Sequence, residues 1–227
     1  MSVFARLIKS SLGKKYLMAI TGIGLFLFVI GHMLGNLQFL IPDGGEAINK
    51  YGHFLQSAPE ILWPARVGLL AFVIIHIVAS IALTIENRQA RDQQYAEKKI
   101  VKATLASRTM LWTGGIVFAF IGYHLAHFTL MTTHPGFRDM RDTLGRHDVH
   151  RMMVAGFSNV YVSGFYVLAV GLLCFHLSHG ISAMFSSLGL KNEAYEARIN
   201  AFARIAAVAL FLGYAAIPVS VWTGVVK

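Results

Sequence analysis

The chain alternates between long apolar stretches and short polar ones. Asp, Glu, Lys and Arg are missing from five stretches, 16–42, 67–85, 109–137, 152–190 and 205–226. A helix needs about 20 apolar residues to cross the hydrocarbon core of a bilayer, so each stretch is long enough for one span. The fourth stretch is too long for one helix and too short for two, so its first part is expected to be a loop. The pattern predicts helices at about 16–41, 63–87, 109–133, 159–187 and 203–226.

The composition agrees with a membrane location. Of the 227 residues 56% are hydrophobic and 14% charged, and the mean hydropathy is +0.58, which is too apolar for a soluble domain of this length. The polar segments 43–66, 86–108, 138–151 and 191–204 are too short to hold a catalytic domain. We therefore expect an all-α integral membrane bundle of five transmembrane helices in one domain, 1–227, whose basic start leads directly into the first helix rather than into a cleavable signal peptide.

Basic residues favour one orientation of this bundle. With the N-terminus cytoplasmic and the C-terminus outside, 13 of the 20 lysines and arginines fall on the inner side, as the positive-inside rule requires. These 13 are Arg6, Lys9, Lys14, Lys15, Arg88, Arg91, Lys98, Lys99, Lys102, Arg108, Lys191, Arg198 and Arg204. The net charge of +9 is therefore explained by topology and anionic lipid in preference to a nucleic-acid-binding patch.

Six histidines lie within the predicted spans. They are His32 in the first helix, His76 in the second, His124 and His127 in the third, and His176 and His179 in the fourth. An unpaired charged side chain in hydrocarbon costs about 3 kcal/mol or more, so intramembrane histidines are expected to have partners. A single neutral histidine bonded to a neighbouring helix would need no function, but four helices that each offer one indicate a shared role.

Helix direction sorts these histidines into two layers. His32 and His124 lie 17 and 16 residues from the last inner charge, or about 25 Å along a helix. Each follows a Thr-Gly pair, Thr21-Gly22 or Thr113-Gly114, whose threonine is eleven residues earlier. His76 is only 10 residues from Glu86, which places it in an inner layer. Depth alone leaves His176 and His179 as alternatives on the fourth helix.

Two layers of two facing imidazoles suit a haem with two axial histidines, which carries electrons and leaves no position for oxygen. Small residues follow three candidates at helical spacing and would leave room for the macrocycle, namely Gly35, Ala79 with Ser80, and Gly180. Ordinary helix packing explains the glycines equally well. A zinc site is disfavoured because these helices offer no carboxylate or cysteine cluster at one depth.

Several motifs along the whole chain resemble the five-helix di-haem cytochrome b anchor of bacterial succinate:quinone oxidoreductases. They are SSLGKKYLMAITGIGLFLFVIGHMLGN from Ser10, GEAINKYGHFLQSAPE from Gly45, AFVIIHIV from Ala71, TGGIVFAFIGYH from Thr113, FHLSHG from Phe175 and SSLGL from Ser186. The resemblance implies that the first and third helices hold an outer haem through His32 and His124. It implies an inner haem held by His76 and His176, with His179 as the second choice and His127 as a non-ligand. Some members carry an acidic residue beside the inner ligand, which LLCFHLSHG lacks.

The same resemblance implies a function in respiration at the bacterial cytoplasmic (inner) membrane. A flavoprotein with covalent FAD and an iron–sulfur subunit would oxidise succinate in the cytoplasm, as part of the tricarboxylic acid cycle. This chain would pass the electrons through two b haems to a quinone, for which menaquinone is expected. The alternatives are a fumarate reductase anchor that runs from menaquinol to fumarate, a free-standing di-haem cytochrome, and a transporter with histidine relays, which the uncharged spans disfavour.

The quinone would bind near the outer haem, where the polar candidates are Asn36, Gln38, Tyr51, His53 and Glu60. A quinone needs a hydrogen-bond donor for each carbonyl and a proton path to water. The second outer loop, with His147 and His150, is expected to be a solvated surface, with a quinone or propionate contact as the alternative. On the inner side Ser10, Lys14, Lys15, Arg88 and Arg108 are candidates for haem propionates or the iron–sulfur subunit.

Overall fold

The computed structural model describes residues 10–90 and 105–227. This part of the chain is helical, and its one β-type pairing is an isolated bridge between Arg141 and His147. Five of its helices are long and apolar enough to cross a membrane, which confirms the all-helical class and the number of spans. The orientation rested partly on six residues outside the described ranges, Arg6, Lys9, Arg91, Lys98, Lys99 and Lys102.

Seven α-helices occur in the described residues. Their bounds are α1 Ser11–Leu37, α2 Glu46–Gln56, α3 Pro59–Gln89, α4 Leu105–His124, α5 Val149–Phe157, α6 Val160–Ser187 and α7 Glu193–Trp222. The candidate spans are α1, α3, α4, α6 and α7. A π-helical turn, Leu125–Thr129, extends α4, and short 3-10 turns occupy Gln38–Leu40 and Pro135–Asp139. We call the end of the bundle that carries α2 and α5 the outer end, after the orientation that the charges predict.

The beginning of the fourth uncharged stretch is not the loop that we expected. It belongs to α5, whose N-cap Asp148 accepts a hydrogen bond from the backbone N–H of Arg151 at 2.9 Å. Met152, Met153 and Phe157 of this helix are buried. The apolar residues before α6 therefore cover the outer end of the bundle, and a new cap at Asn159 starts the spanning helix.

The last helix begins at Glu193 rather than near residue 203. Asn192 caps it by accepting a hydrogen bond from the backbone N–H of Tyr195 at 3.1 Å, and acidic residues in the first turn suit the positive end of the helix dipole. The turns between Glu193 and the predicted start contain charged residues, so a pattern of uncharged stretches does not include them. Most of segment 191–204, expected to lie outside as a connection, is helical.

The spanning helices pack as two hairpins, α1 with α3 and α4 with α6. We call the boundary between these two hairpins the seam. Helix α1 packs along α3, and α4 packs along α6, while α7 covers α6 and part of α1. The phenyl ring of Phe72 on α3 lies directly against Gly24 of α1, where a side chain would collide with it. Helix α1 also crosses α6, but the described residues of α1 and α4, like those of α3 and α6, are not closely packed together.

Polar contacts tie the helices at both ends. At the inner end the Lys14 ammonium of α1 pairs with Glu86 of α3. Lys191 also donates to Ser182 of α6 at 3.0 Å and to Asn200 of α7 at 3.1 Å. These polar contacts link α1 with α3, and α6 with α7, at the inner end of the bundle.

Candidate functional site

The histidines of α1 and α4 approach one another across the seam of the bundle. The ring centroids of His32 and His124 are 5.8 Å apart, with the rings nearly perpendicular. Phe28 and Phe120, one turn earlier on each helix, contact these imidazoles. Because the two helices are not closely packed, the imidazoles bridge a gap that the protein backbone leaves open.

The histidines of α3 and α6 lie in the other layer, and each has a threonine partner on the helix beside it. Nδ1 of His76 is 3.2 Å from the hydroxyl of Thr21 on α1. Nδ1 of His176 is 3.1 Å from the hydroxyl of Thr113 on α4. The two imidazoles are close enough to interact electrostatically. Two hairpins thus present the same Thr–His contact to a common interior.

The direction of these hydrogen bonds follows from the threonines. The Thr21 hydroxyl lies 2.7 Å from the backbone oxygen of Leu17, and the Thr113 hydroxyl lies 3.1 Å from that of Thr109. A hydroxyl has one hydrogen and two lone pairs, so a threonine that donates to the backbone accepts from the imidazole. This arrangement keeps the hydrogen on Nδ1 and leaves Nε2 with a free lone pair, which is the state of a metal-ligating histidine.

A glycine follows each of these threonines and brings the backbone close to the imidazole. A Cβ on Gly22 would lie 3.5 Å from Cε1 of His76, and a Cβ on Gly114 would lie 3.4 Å from Cε1 of His176. Both Thr-Gly pairs are visible in the sequence, where their spacing indicates only that His32 and His124 lie at similar depths. Their contact with histidines of other helices needs the packing of the hairpins.

The remaining two intramembrane histidines have different surroundings. His127 has no exposed surface, and its Nδ1 lies 3.0 Å from the hydroxyl of Tyr166. His179 lies one turn nearer the inner end than His176, towards Lys191. The Thr113 hydroxyl selects His176 over His179 as the counterpart of His76, although the identity of an iron ligand stays a prediction.

The outer pair has the separation that two axial ligands of one metal ion require. Two metal–imidazole bonds of about 2 Å each place the ligating nitrogens about 4 Å apart and the ring centres somewhat farther. The 5.8 Å between the rings of His32 and His124 fits that span. All four imidazoles keep some accessible surface although they lie inside the bundle. Within residues 10–90 and 105–227 no cluster of three or more His, Cys, Asp or Glu side chains forms a metal site, but a haem iron takes only two protein ligands.

The small residues near the histidines are used differently from one another. Gly35 was expected to make room beside His32, but the ring of Tyr51 fills that place, and a Cβ on Gly35 would lie 2.6 Å from its hydroxyl. Ala79 is buried. A Cβ on Gly180 would meet no atom of the described residues within 4 Å, so this glycine faces open space. Of the predicted small residues, Gly180 alone clearly leaves room, while Gly35 serves helix packing.

The predicted quinone residues do not form one group. Asn36 lies beside His32, with its amide nitrogen 2.7 Å from the His32 backbone oxygen and 3.3 Å from the ring. Tyr51 packs next to it on Gly35, and Gln38 opens the following 3-10 turn. His53 instead lines an open surface pocket of about 450 Å³. Glu60 is exposed in the first turn of α3.

That surface pocket joins the two outer loops. Its lining includes His53 and Gln56 of α2 with Arg141 and His147 of the second loop. Burial, with Arg141 nearby, lowers the pKa of His147. His147 is therefore part of a partly buried surface rather than a freely solvated loop. His150 packs on Phe39 and gives its backbone N–H to Asn49 at 2.9 Å.

An ion-pair network holds the outer loops together. Arg146 forms ion pairs with Glu46 at 2.5 Å and Asp142 at 2.7 Å. Hydrogen bonds from Arg146 lower the pKa of Glu46, and the two acids raise the pKa of Arg146. Burial opposes ionisation of Asp142, but bonds from the Arg146 side chain and from loop backbone N–H groups outweigh it and lower the pKa.

Two of the five residues predicted to make contacts at the inner face have structural partners within this chain. The Ser10 hydroxyl caps α1 by accepting from the backbone N–H of Gly13 at 3.0 Å, and Lys14 pairs with Glu86. Lys15, Arg88 and Arg108 are exposed. These three remain accessible for a partner or a propionate.

Tyr166 is a candidate functional residue that the sequence did not reveal. Its hydroxyl lies 3.5 Å from Nδ1 of His124 and 3.0 Å from Nδ1 of His127. It is one of many aromatic residues in an uncharged stretch, and it is 42 residues from His124. Only the packing of α6 on α4 brings it to the outer pair.

Comparisons with known proteins add no identification to this geometry: no family model, no curated protein and no solved structure matches the chain.

Proposed function

We propose that this chain is the membrane-anchor cytochrome b subunit of a succinate:quinone oxidoreductase. His76 and His176 would hold an inner b haem, and His32 and His124 an outer one. The observation that carries the proposal is the pairing of four histidines in two layers, with the inner pair held at Nδ1 by Thr21 and Thr113. A haem with two axial histidines supplies one-electron transfer and binds no further ligand.

The protein contributes position, insulation and exclusion of water. The threonines would keep Nε2 of the inner imidazoles free, and Gly22 and Gly114 let the backbone lie close to those rings. Phe28 and Phe120 cover the outer imidazoles. The five long apolar helices around the two layers would keep water away from them. Electrons would thus be confined to a route through the bundle interior.

The partners would meet opposite ends of the bundle. A flavoprotein with FAD and an iron–sulfur subunit would dock at the inner end, where Lys15, Arg88 and Arg108 are exposed. A quinone, for which menaquinone is expected, would bind at the outer end beside Asn36, which contacts His32, and Tyr51, which packs on Gly35. Gln38, His53 and Glu60 are the weaker quinone candidates. The same parts would serve a fumarate reductase if electrons ran inward.

Purification and haem counting test the proposal. The protein, expressed with its native partners, is expected to show sharp reduced α and Soret bands and to contain two haems per chain. His32→Ala and His124→Ala should each remove the outer haem, while His76→Ala and His176→Ala should each remove the inner one. His179→Ala is the matched control and should keep both. A folded, colourless protein would contradict the proposal and favour a transporter.

A second measurement separates this anchor from a free-standing di-haem cytochrome. Affinity purification of the chain from its native membrane should recover a flavoprotein with covalent FAD and an iron–sulfur protein in equal amounts. Succinate should then reduce the haems of that complex. A preparation with two haems and no such partners would support the free-standing cytochrome instead.

A further inference from the structure

His127 is a buried polar side chain whose role the proposed function leaves unexplained. It has no exposed surface, and its Nε2 has no hydrogen-bond partner among the described residues. A buried nitrogen without a partner costs about 1–3 kcal/mol, so its presence calls for a reason. The hydrogen-bonding contact of this imidazole is at its other nitrogen, Nδ1, which is 3.0 Å from the hydroxyl of Tyr166. The role of His127 is therefore expected in this contact.

Tyr166 connects this histidine with the outer pair. Its hydroxyl also lies 3.5 Å from Nδ1 of His124. His124 ends α4 and His127 lies in the π-helical turn that follows, and both imidazoles reach the one hydroxyl on α6. The ring of Tyr166 is 5% exposed and is packed by Phe120 and Phe157. The packing of the ring therefore holds the hydroxyl oxygen beside the two imidazoles.

The single hydrogen of this hydroxyl links the states of the two imidazoles. If Tyr166 donates to Nδ1 of His127, its lone pairs face Nδ1 of His124, which must then carry a hydrogen and donate it. Nε2 of His124 is left with a free lone pair. If Tyr166 donates to His124 instead, the hydrogen of His124 moves to Nε2 and ligation there is blocked.

We propose that His127 and Tyr166 are positioning residues that fix the tautomer of His124 at the outer site. His127 accepts from Tyr166, its own hydrogen is on the unpartnered Nε2, and His124 presents a free Nε2 towards His32. This inference rests on the proposed function. Unlike the threonines of the inner site, which are oriented by a backbone oxygen, the tyrosine is oriented by a buried histidine.

The neighbourhood of His127 favours this arrangement. A Cβ on Gly156 would lie 3.2 Å from Cε1 of His127 and 2.8 Å from the ring of Phe128. Phe128 packs on the His127 imidazole with ring centroids 4.0 Å apart. The imidazole is therefore packed between α5 and an aromatic ring, and this packing favours the orientation in which Nδ1 faces the tyrosine.

Three variants test the proposal in the holo-protein. Tyr166→Phe removes the hydroxyl and nothing else, and His127→Leu removes the acceptor. His127→Asn places an amide oxygen near the position of Nδ1 and should restore acceptance. Loss of an outer-shell bond lowers metal affinity by about 10- to 100-fold, so Tyr166→Phe and His127→Leu should lose the outer haem in that range. His127→Asn should retain it.

The readouts are the transfer of haem to apomyoglobin and the low-temperature reduced-minus-oxidised α band, recorded separately for the outer and inner haem. The inner haem is the internal control for folding, and Thr113→Val is the matched variant that should affect the inner haem alone. If Tyr166→Phe and His127→Leu leave the outer haem unchanged in affinity and spectrum, the positioning role is wrong while the proposed function stands. If wild-type protein holds no haem, both are wrong.

Discussion

Replacing Thr21 by valine should weaken the inner haem site without disturbing the fold. Valine keeps the size of threonine but removes the oxygen that accepts from His76. Thr21 is 3% exposed and Thr113 is 5% exposed, so water cannot take the place of either hydroxyl. His76 would then lose this acceptor and be left with its hydrogen bond to the Met18 backbone.

The magnitude follows from that burial. An unsatisfied buried donor costs about 1–3 kcal/mol, and each 1.4 kcal/mol corresponds to a tenfold change in an equilibrium constant. Thr113→Val, which removes the acceptor of His176, should therefore lower inner-haem affinity by about 5- to 150-fold. Thr21→Val should act in the same direction but towards the lower end of that range, because His76 keeps its hydrogen bond to the Met18 backbone.

The measurement is the rate and extent of haem transfer from the purified protein to apomyoglobin, with the inner haem followed by its own α band. Thr84→Val is the matched control, since the Thr84 hydroxyl bonds only the Ser80 backbone oxygen among its described contacts, at 2.8 Å. The reasoning is refuted if Thr21→Val and Thr113→Val hold the inner haem as tightly as Thr84→Val does.

Two further predictions concern the outer end. Gly35→Ala would place a methyl group against the Tyr51 ring, and overpacking of about 1–3 kcal/mol should lower the thermal unfolding temperature. Gly31→Ala is the control, because its methyl group would meet no atom of the described residues within 4 Å. Equal unfolding temperatures for the two variants would contradict the described packing. The Arg146 side chain lowers the pKa of Glu46, so this ion pair stabilises the folded state above the ordinary glutamate pKa, and its contribution should fade as the pH falls through the depressed value. Amide exchange in α2, corrected for intrinsic rates, should rise over that range in wild type and show no such step in Glu46→Gln.

The apolar pattern predicted the spans well because hydrocarbon excludes charge, but it could not locate helix ends. Those are set by local hydrogen bonds, such as the cap of Asn192, which starts α7 within a charged segment. The same limit hid α5, whose apolar residues continue into the uncharged stretch of α6. Helix ends in this protein depend on capping side chains and not on where the charges stop.

The candidate site was predictable as far as single helices determine it. Spacing from the nearest charge sorted His32, His76 and His124 into layers. Spacing along the chain could not predict contacts between helices. Thr21 and His76, for example, are 55 residues apart, and only helix packing makes them neighbours. The resemblance favoured His176 over His179, and the Thr113 contact that supports this choice lies between two helices. The position of Tyr166 beside the outer pair depends on helix packing in the same way.

The open seam between the two hairpins has a consequence for biogenesis. Helices α1 and α4, and likewise α3 and α6, are not closely packed together, so in a newly inserted chain the two hairpins meet mainly through the contacts of α1 with α6 and α7. A flat tetrapyrrole in each layer would fill the space between α1 and α4 and between α3 and α6. Supply of the pigment would then govern maturation, and cells starved of it should degrade this polypeptide soon after translocation.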